Sequence, residues 1–125
     1  MNLLLDTHVF LWMLADPDRL VAGVRRTITD PNHAVFLSAV SGVEISIKRA
    51  LGKLEAPAGL AEEAEHRGLT HLPLTFRHAE TLDSLPPHHA DPFDRMLIAQ
   101  AIAEGLTLVT HDRKFKPYPV KILWT

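Results

Sequence analysis

Short apolar runs recur along this chain at Leu3-Leu4-Leu5, Val35-Phe36-Leu37 and, with two threonines, Leu106 to Thr110, with helix-like patterns between them. Runs so short and so largely apolar suit strands covered on both faces, the condition of strands inside a parallel sheet. Strands alternating with helices through right-handed crossovers make an α/β domain with a parallel sheet the expected fold. A chain of 125 residues can bury one sizeable core but not two, so residues 1–125 are expected to form one domain.

Local signals fill in the order of elements. Asp6 or Thr7 can cap a helix running to about Ala15, with Val9, Phe10, Trp12 and Met13 as its bulk. Asp16-Pro17 stops it and opens a second helix near Asp18, in which Leu20, Val24 and Ile28 share a face. After a turn at Asp30-Pro31-Asn32 and the strand at residues 35–37, Ser38 or Ser41 can cap a helix carrying Glu44, Ile45, Ile47, Lys48 and Leu51, ended near Gly52. Ala61 to Arg67 reads as a short helix closed by Gly68, Leu69 to Leu74 as a third strand, and Thr75 to Leu85 as a further helix. Pro86-Pro87-His88-His89 must be a loop. Asp91-Pro92 opens the clearest helix, with Phe93, Leu97 and Ala101 at spacing four and Gly105 at its end. Val120 to Trp124 supplies a fifth strand.

Composition excludes little. Apolar residues at 46% and charged residues at 22% are ordinary for a globular domain. A net charge of -2 weighs against a module that simply coats DNA or RNA. It leaves a nuclease open, because a carboxylate-rich site hides basic residues in the sum. With no cysteine, neither disulfides nor thiolate metal sites are available, which fits a reducing compartment. The start MNLLLDTHVFLWML lacks a basic leading segment, and no run approaches the roughly 18 apolar residues of a membrane span. A cytoplasmic protein with no membrane association is the expectation.

Four acidic residues far apart in the chain, Asp6, Glu44, Asp94 and Asp112, each stand beside a strand end or in a helix. Asp6 and Asp112 follow two of the buried runs. If those strands are neighbours, their carboxyl ends aim both side chains into one crevice. Several carboxylates in one volume repel one another unless a hard cation such as Mg²⁺ or Mn²⁺ neutralises them. Each acid also has a plainer account. Asp6 can be a helix cap, Glu44 can face solvent and pair with Lys48 one turn on, Asp91 can cap its helix, and Asp94 can serve only the helix dipole. Arg95 can reach a carboxylate or a phosphate.

Thr7 and Thr110 can donate to a ligand oxygen, although threonine is also a common strand-end residue. His8 and His111 flank the acidic positions in a chain with 8 histidines, so chance adjacency explains them as well. His88-His89 reads as a solvated loop, and Phe10, Trp12, Phe36 and Phe93 read as core.

The segments LLLDTHVFLW, VSGVEISIKRALGKL, HADPFDRMLIAQA and LTLVTHDRKF resemble the PIN-domain ribonucleases, and more narrowly the VapC-type toxins of bacterial toxin–antitoxin pairs. The likeness runs from about residue 2 to residue 124, with four motifs in order. It implies an α/β/α sandwich with a mainly parallel sheet of about five strands. It carries the family's four acidic positions onto Asp6, Glu44, Asp94 and Asp112, and its hydroxyl residue onto Thr110. Asp91, Pro92, Phe93 and Arg95 match the DPFDR form of one subgroup. The resemblance further implies a Mg²⁺- or Mn²⁺-dependent endoribonuclease acting on a transfer or ribosomal RNA and leaving 5′-phosphate and 3′-hydroxyl ends. The ion or ions would be held by Asp6, Asp94 and Asp112, with Glu44 as a ligand or orienting a water. It also implies a cognate antitoxin and a homodimer, with apolar side chains near residues 9–13 and 45–51 available to either contact.

Two rivals are set against this reading. A receiver-type phospho-acceptor domain also gathers carboxylates and Mg²⁺ at a sheet end, but wants an acidic pair after its first strand and a lysine after its last. Asp6 stands alone and VKILWT supplies no such lysine. The other rival is a non-catalytic module whose acids hold structure or grip a metal or protein.

Overall fold

In the computed structural model, which describes residues 1–125, five strands form one sheet in the order β3-β2-β1-β4-β5. They are β1 (Asn2–Leu5), β2 (Ala34–Ser38), β3 (Thr70–Leu72), β4 (Thr107–Thr110) and β5 (Ile122–Trp124), and every neighbouring pair is parallel. The helices are α1 (Thr7–Ala15), α2 (Ala22–Thr29), α3 (Ala39–Ala50), α4 (Leu60–His66), α5 (Phe76–Thr81) and α6 (Pro92–Glu104). Successive side chains of β1 point to opposite faces. Leu3 and Leu5 therefore enter a core with Val9, Phe10, Val24, Ile28 and Ala64 of α1, α2 and α4. Leu4 enters a second core with Leu97, Ile98 and Ala101 of α6. All three leucines are fully buried, which explains why the run carries no polar residue. The result is an α/β/α sandwich with a parallel sheet, as expected.

The strand order reverses between β1 and β4, and ligand crevices of open α/β sheets lie outside the carboxyl ends of the strands at such a reversal. The same order differs from the 2-1-3-4-5 arrangement of receiver-type sheets, so that rival is set aside.

Several boundaries move for identifiable reasons. No helix begins near Asp18: Pro17–Arg19 make a single 3₁₀ turn, Asp18 pairs with Arg25 at 3.0 Å, and α2 starts at Ala22. Leu20, Val24 and Ile28 are nonetheless buried together. The third strand shrinks to Thr70–Leu72, because Pro73 has no N–H to extend the ladder. The helix expected over Thr75 to Leu85 ends at Thr81 and continues as a 3₁₀ turn over Leu82–Ser84. Of the two candidate caps for α3, Ser38 accepts from the Val40 amide, whereas Ser41 lies inside the helix. Asp91 caps α6, accepting from the Phe93 and Asp94 amides, and Gly105 closes it at φ +66°, a conformation costly for a residue with a Cβ. No helix is long and apolar enough to cross a membrane.

Candidate active site

The register Leu5↔Val109 places the next residues, Asp6 and Thr110, side by side at the carboxyl ends of β1 and β4. Asp6 occupies the cap position of α1, yet its side chain makes no capping bond. It turns to β4 instead, where the Thr110 hydroxyl donates to Oδ2 at 2.7 Å in a buried setting. The same hydroxyl accepts from the Asp112 amide at 3.0 Å, so Thr110 ties the two acidic positions together. Asp112 does serve a turn, with Oδ1 accepting from the Lys114 amide at 3.0 Å. Thr7 does not face this crevice; its hydroxyl donates to Ser41 at 2.9 Å.

Glu44 is not on an exposed face. It is buried, and the plainer account of it holds only for its partner: Lys48 Nζ donates to Oε2 at 2.5 Å from one turn along α3. Its other oxygen, Oε1, is buried without any hydrogen-bond partner. Lys48 is only 30% exposed, and its ammonium is held above its ordinary pKa chiefly by the bond to Glu44, with the charges of Asp91 and Asp94 adding to this.

Asp94, on the first turn of α6, completes the cluster. Its carboxyl is pushed up to about 8, first by burial and then by the negative charges of Asp6, Asp91, Glu44 and Asp112. Asp6 is also raised, mainly by burial and further by Glu44, against the opposing hydrogen bond from Thr110 and the charge of His8. Five acidic groups drawn from β1, α3, the α6 cap, α6 and the β4 end thus share one field.

Three expected placements are corrected. Arg95 reaches neither a carboxylate nor the crevice: its guanidinium donates to the Pro86 carbonyl at 2.9 Å and to Tyr118 Oη at 3.2 Å, bracing the loop before α6. His89 is not solvated. Its side chain is 13% exposed, packs against Phe115 and Tyr118, and brings Nε2 to 3.4 Å from Asp94 Oδ2. Tyr118 Oη accepts from Arg95 and from the His89 amide, so its own proton is directed to His89 Nδ1 at 2.8 Å. That leaves the imidazole proton on Nε2, toward Asp94. Trp12 packs against the first core but is only half-buried, at the edge of a cleft of about 570 Å³ lined by Asp6, His8, His111, Asp112, Arg113 and Lys114. Phe10 is buried as expected, and Phe36 and Phe93 are half-buried.

The donor set is entirely oxygen, from carboxylates and one hydroxyl, which suits a hard divalent cation and no soft one. The unpartnered Glu44 Oε1 and the mutual repulsion that raises Asp94 both supply what such a cation would relieve. As the side chains stand, no three acidic or imidazole groups close into a metal-holding cluster, and Lys48 and Thr110 each bond one oxygen of Glu44 and Asp6. The residues fit the ion in chemistry.

The apolar surface differs from expectation as well. Val9, Phe10, Met13 and Ile45 are buried, while Val43, Ile47 and Leu51 leave an exposed stripe along α3. Behind α3 lies an apolar cavity of about 360 Å³ between Phe10, Ile45, Leu60, Ala64 and Leu69.

This parallel α/β/α domain is matched by the PIN domain family model. That model matches residues 3–121, and the chain belongs to the PIN domain family. Among individual proteins it is similar to Ribonuclease VapC22 of Mycobacterium tuberculosis, with 33% identity across 97% of this chain and 98% of that protein. The fold is shared with the solved DNA-bound VapBC of Salmonella typhimurium at TM-score 0.73 and 20% identity, over 98% of this chain and 97% of that one. It is shared also with VapBC2 of Rickettsia felis bound to a promoter DNA fragment, at TM-score 0.70 and 17% identity, over 98% of both chains.

Proposed function

We propose that this protein is an endoribonuclease, the toxin of a toxin–antitoxin pair, which hydrolyses RNA phosphodiester bonds with Mg²⁺ or Mn²⁺. The observation that carries the reading is the convergence of Asp6, Glu44, Asp94 and Asp112 on one crevice, with Asp94 held up to about 8 first by burial and then by its acidic neighbours. The likeness to a relative named as a ribonuclease supports the choice of RNA.

In this mechanism Asp6, Asp94 and Asp112 would hold the cation, and Glu44 would join them or orient a water. A bound divalent cation offsets charge on the attacked phosphodiester and makes water more acidic. The chain's own groups do the rest. Thr110 fixes the Asp6 carboxylate against rotation by its hydrogen bond. His89 stands with Nε2 3.4 Å from Asp94 Oδ2, buried and without a hydrogen-bond partner, and Asp91 caps the turn that carries Asp94. Lys48 neutralises Glu44 before a cation arrives. The target class is a structured RNA such as transfer or ribosomal RNA, cut to 5′-phosphate and 3′-hydroxyl ends.

The chain works as one domain in the cytoplasm, as a homodimer, and is inhibited by a cognate antitoxin. The exposed Val43, Ile47 and Leu51 stripe beside an apolar cavity supports a protein contact on α3. A solved structure of the same fold, VapBC-5 of Mycobacterium tuberculosis, is a member of the VapBC family of toxin-antitoxin systems, which supports an antitoxin partner.

The test is cleavage of a pooled transfer- and ribosomal-RNA preparation by purified protein in Mg²⁺, Mn²⁺ or EDTA, beside Asp6→Asn and Asp94→Asn. Discrete metal-dependent cuts lost in both folded variants support the assignment. Cuts that persist in EDTA or in both variants remove the carboxylate mechanism. Folded, antitoxin-free protein that binds RNA without turnover favours the non-catalytic module.

A further inference from the structure

We infer that the cleft beside Asp6 and Asp112 is a nucleotide subsite. It seats one RNA nucleotide next to the bond that is cut, with the base against Trp12 and His111 and a flanking phosphate on Arg113 and Lys114. The inference rests on the ribonuclease reading and adds where the strand lies.

The cleft is about 570 Å³, within the roughly 300–1,000 Å³ range of small-molecule sites, and Trp12 is its one apolar lining residue. That composition does not suit an apolar helix. It suits a ligand with one flat ring and one anionic group. Trp12 stands on α1, which begins directly after Asp6, so the indole and the carboxylate are carried by one rigid junction. The Arg19 guanidinium lies 4.3 Å from the indole centroid, and the His111 ring meets it edge-on at 5.3 Å. His8 tilts toward it at 6.4 Å.

This wall is preorganised rather than loose. His111 Nδ1 donates to the Thr125 carbonyl at 2.9 Å. Thr125 is itself held, its amide donating to Thr110 at 3.0 Å and its hydroxyl accepting from Val21 at 2.9 Å. Arg113 stacks on Trp124 at 4.4 Å, and Lys114 is exposed. The cleft is thus lined by the carboxylates of Asp6 and Asp112 and by the cations of Arg113 and Lys114. Stacking is indifferent to sequence because every base has a π-face, while cations follow the phosphates. Two cations beside the carboxylates also disfavour a basic protein segment here.

The experiment titrates short single-stranded oligoribonucleotides into protein carrying Asp94→Asn, so that the RNA stays intact, while tryptophan fluorescence and the anisotropy of a labelled oligonucleotide are read together. Trp12 and Trp124 are separated by adding Trp12→Phe or Trp124→Phe. The expected result is quenching that disappears with Trp12→Phe and survives Trp124→Phe. Trp12→Ala weakens binding roughly 5- to 100-fold, the range that loss of one stacked base corresponds to. Arg113→Gln lowers the salt dependence by about one phosphate contact. In otherwise wild-type protein, Trp12→Ala raises KM by a similar factor with kcat little changed, and its thermal melt reports that it is folded.

RNA that binds by anisotropy without altering the Trp12 signal overturns the subsite, as does Trp12→Ala cutting with unchanged KM; cleavage by wild-type protein still stands in both cases. Quenching of Trp12 by an arginine-containing peptide but not by RNA makes the cleft a protein contact and also overturns it. Wild-type protein that neither binds nor cuts RNA removes the ribonuclease reading, and the subsite with it.

Discussion

Replacing Asp94 by asparagine should stabilise the metal-free protein while abolishing its cleavage of RNA. The native carboxyl keeps its proton to about pH 8, whereas in the unfolded chain it releases it near 3.8. Between those values the unfolded state binds fewer protons than the native state, so stability falls as pH rises and levels off above about 8. At 1.36 kcal/mol per pH unit the ceiling at pH 7 is about 4 kcal/mol. The side chain is 12% exposed at the rim of the crevice, and screening there reduces the expected gain to about 1–3 kcal/mol. For a chain of 125 residues this corresponds to a rise in Tm of roughly 3–15 °C. Asparagine cannot ionise, so its advantage should be largest near pH 8 and shrink toward pH 4. The assay is thermal unfolding of both proteins in EDTA from pH 4 to pH 9. Added Mg²⁺ should reverse the order, because it stabilises only the protein that binds it. A variant that melts no higher than wild type at pH 8, or a wild type whose Tm does not fall between pH 5 and pH 8, refutes the claim that burial and the neighbouring acids keep this carboxyl protonated in the native state.

Thr110→Val removes the buried donor to Asp6 and the acceptor of the Asp112 amide; a loss of about 1–3 kcal/mol in urea unfolding is expected, with slower RNA cleavage. Lys48→Met strands Glu44 as a buried anion and should cost about 1–3 kcal/mol at pH 7, discounted because Lys48 is partly exposed. Adding Glu44→Gln should recover most of that loss in a double-mutant cycle, and additive losses would contradict the pairing. Arg95→Ala should leave the carboxylates in place but free the loop it braces, seen as faster amide hydrogen exchange at His88 and His89.

What local chemistry could reveal was visible in the residues. Asp91-Pro92 announces a capped helix, and the cap is observed because an aspartate before proline has two orphan amides within reach. Asp6 and Asp112 were marked by the buried runs they follow. Periodicity says which side of a helix is buried, but not what lies opposite it. Trp12 therefore read as core, although its neighbours His8, Arg19 and His111 make it the wall of a cleft. His89 carried no local signal at all. Its place depends on Tyr118, 29 positions along the chain. Lys48 was paired correctly with Glu44 by spacing, while the burial of Glu44 was not visible.

The sequence by itself determined the run of short buried strands and helices, the caps and stops, and the positions of the acids at element ends, since these depend on residues within a turn or two of each other. Only the tertiary structure decided that β1 lies between β2 and β4, and hence that Asp6 meets Thr110 from 104 residues away. It also decided that Asp94 is held up to about 8. Burial and Coulomb repulsion act through distance in space and exclusion of water, and neither can be read along a chain.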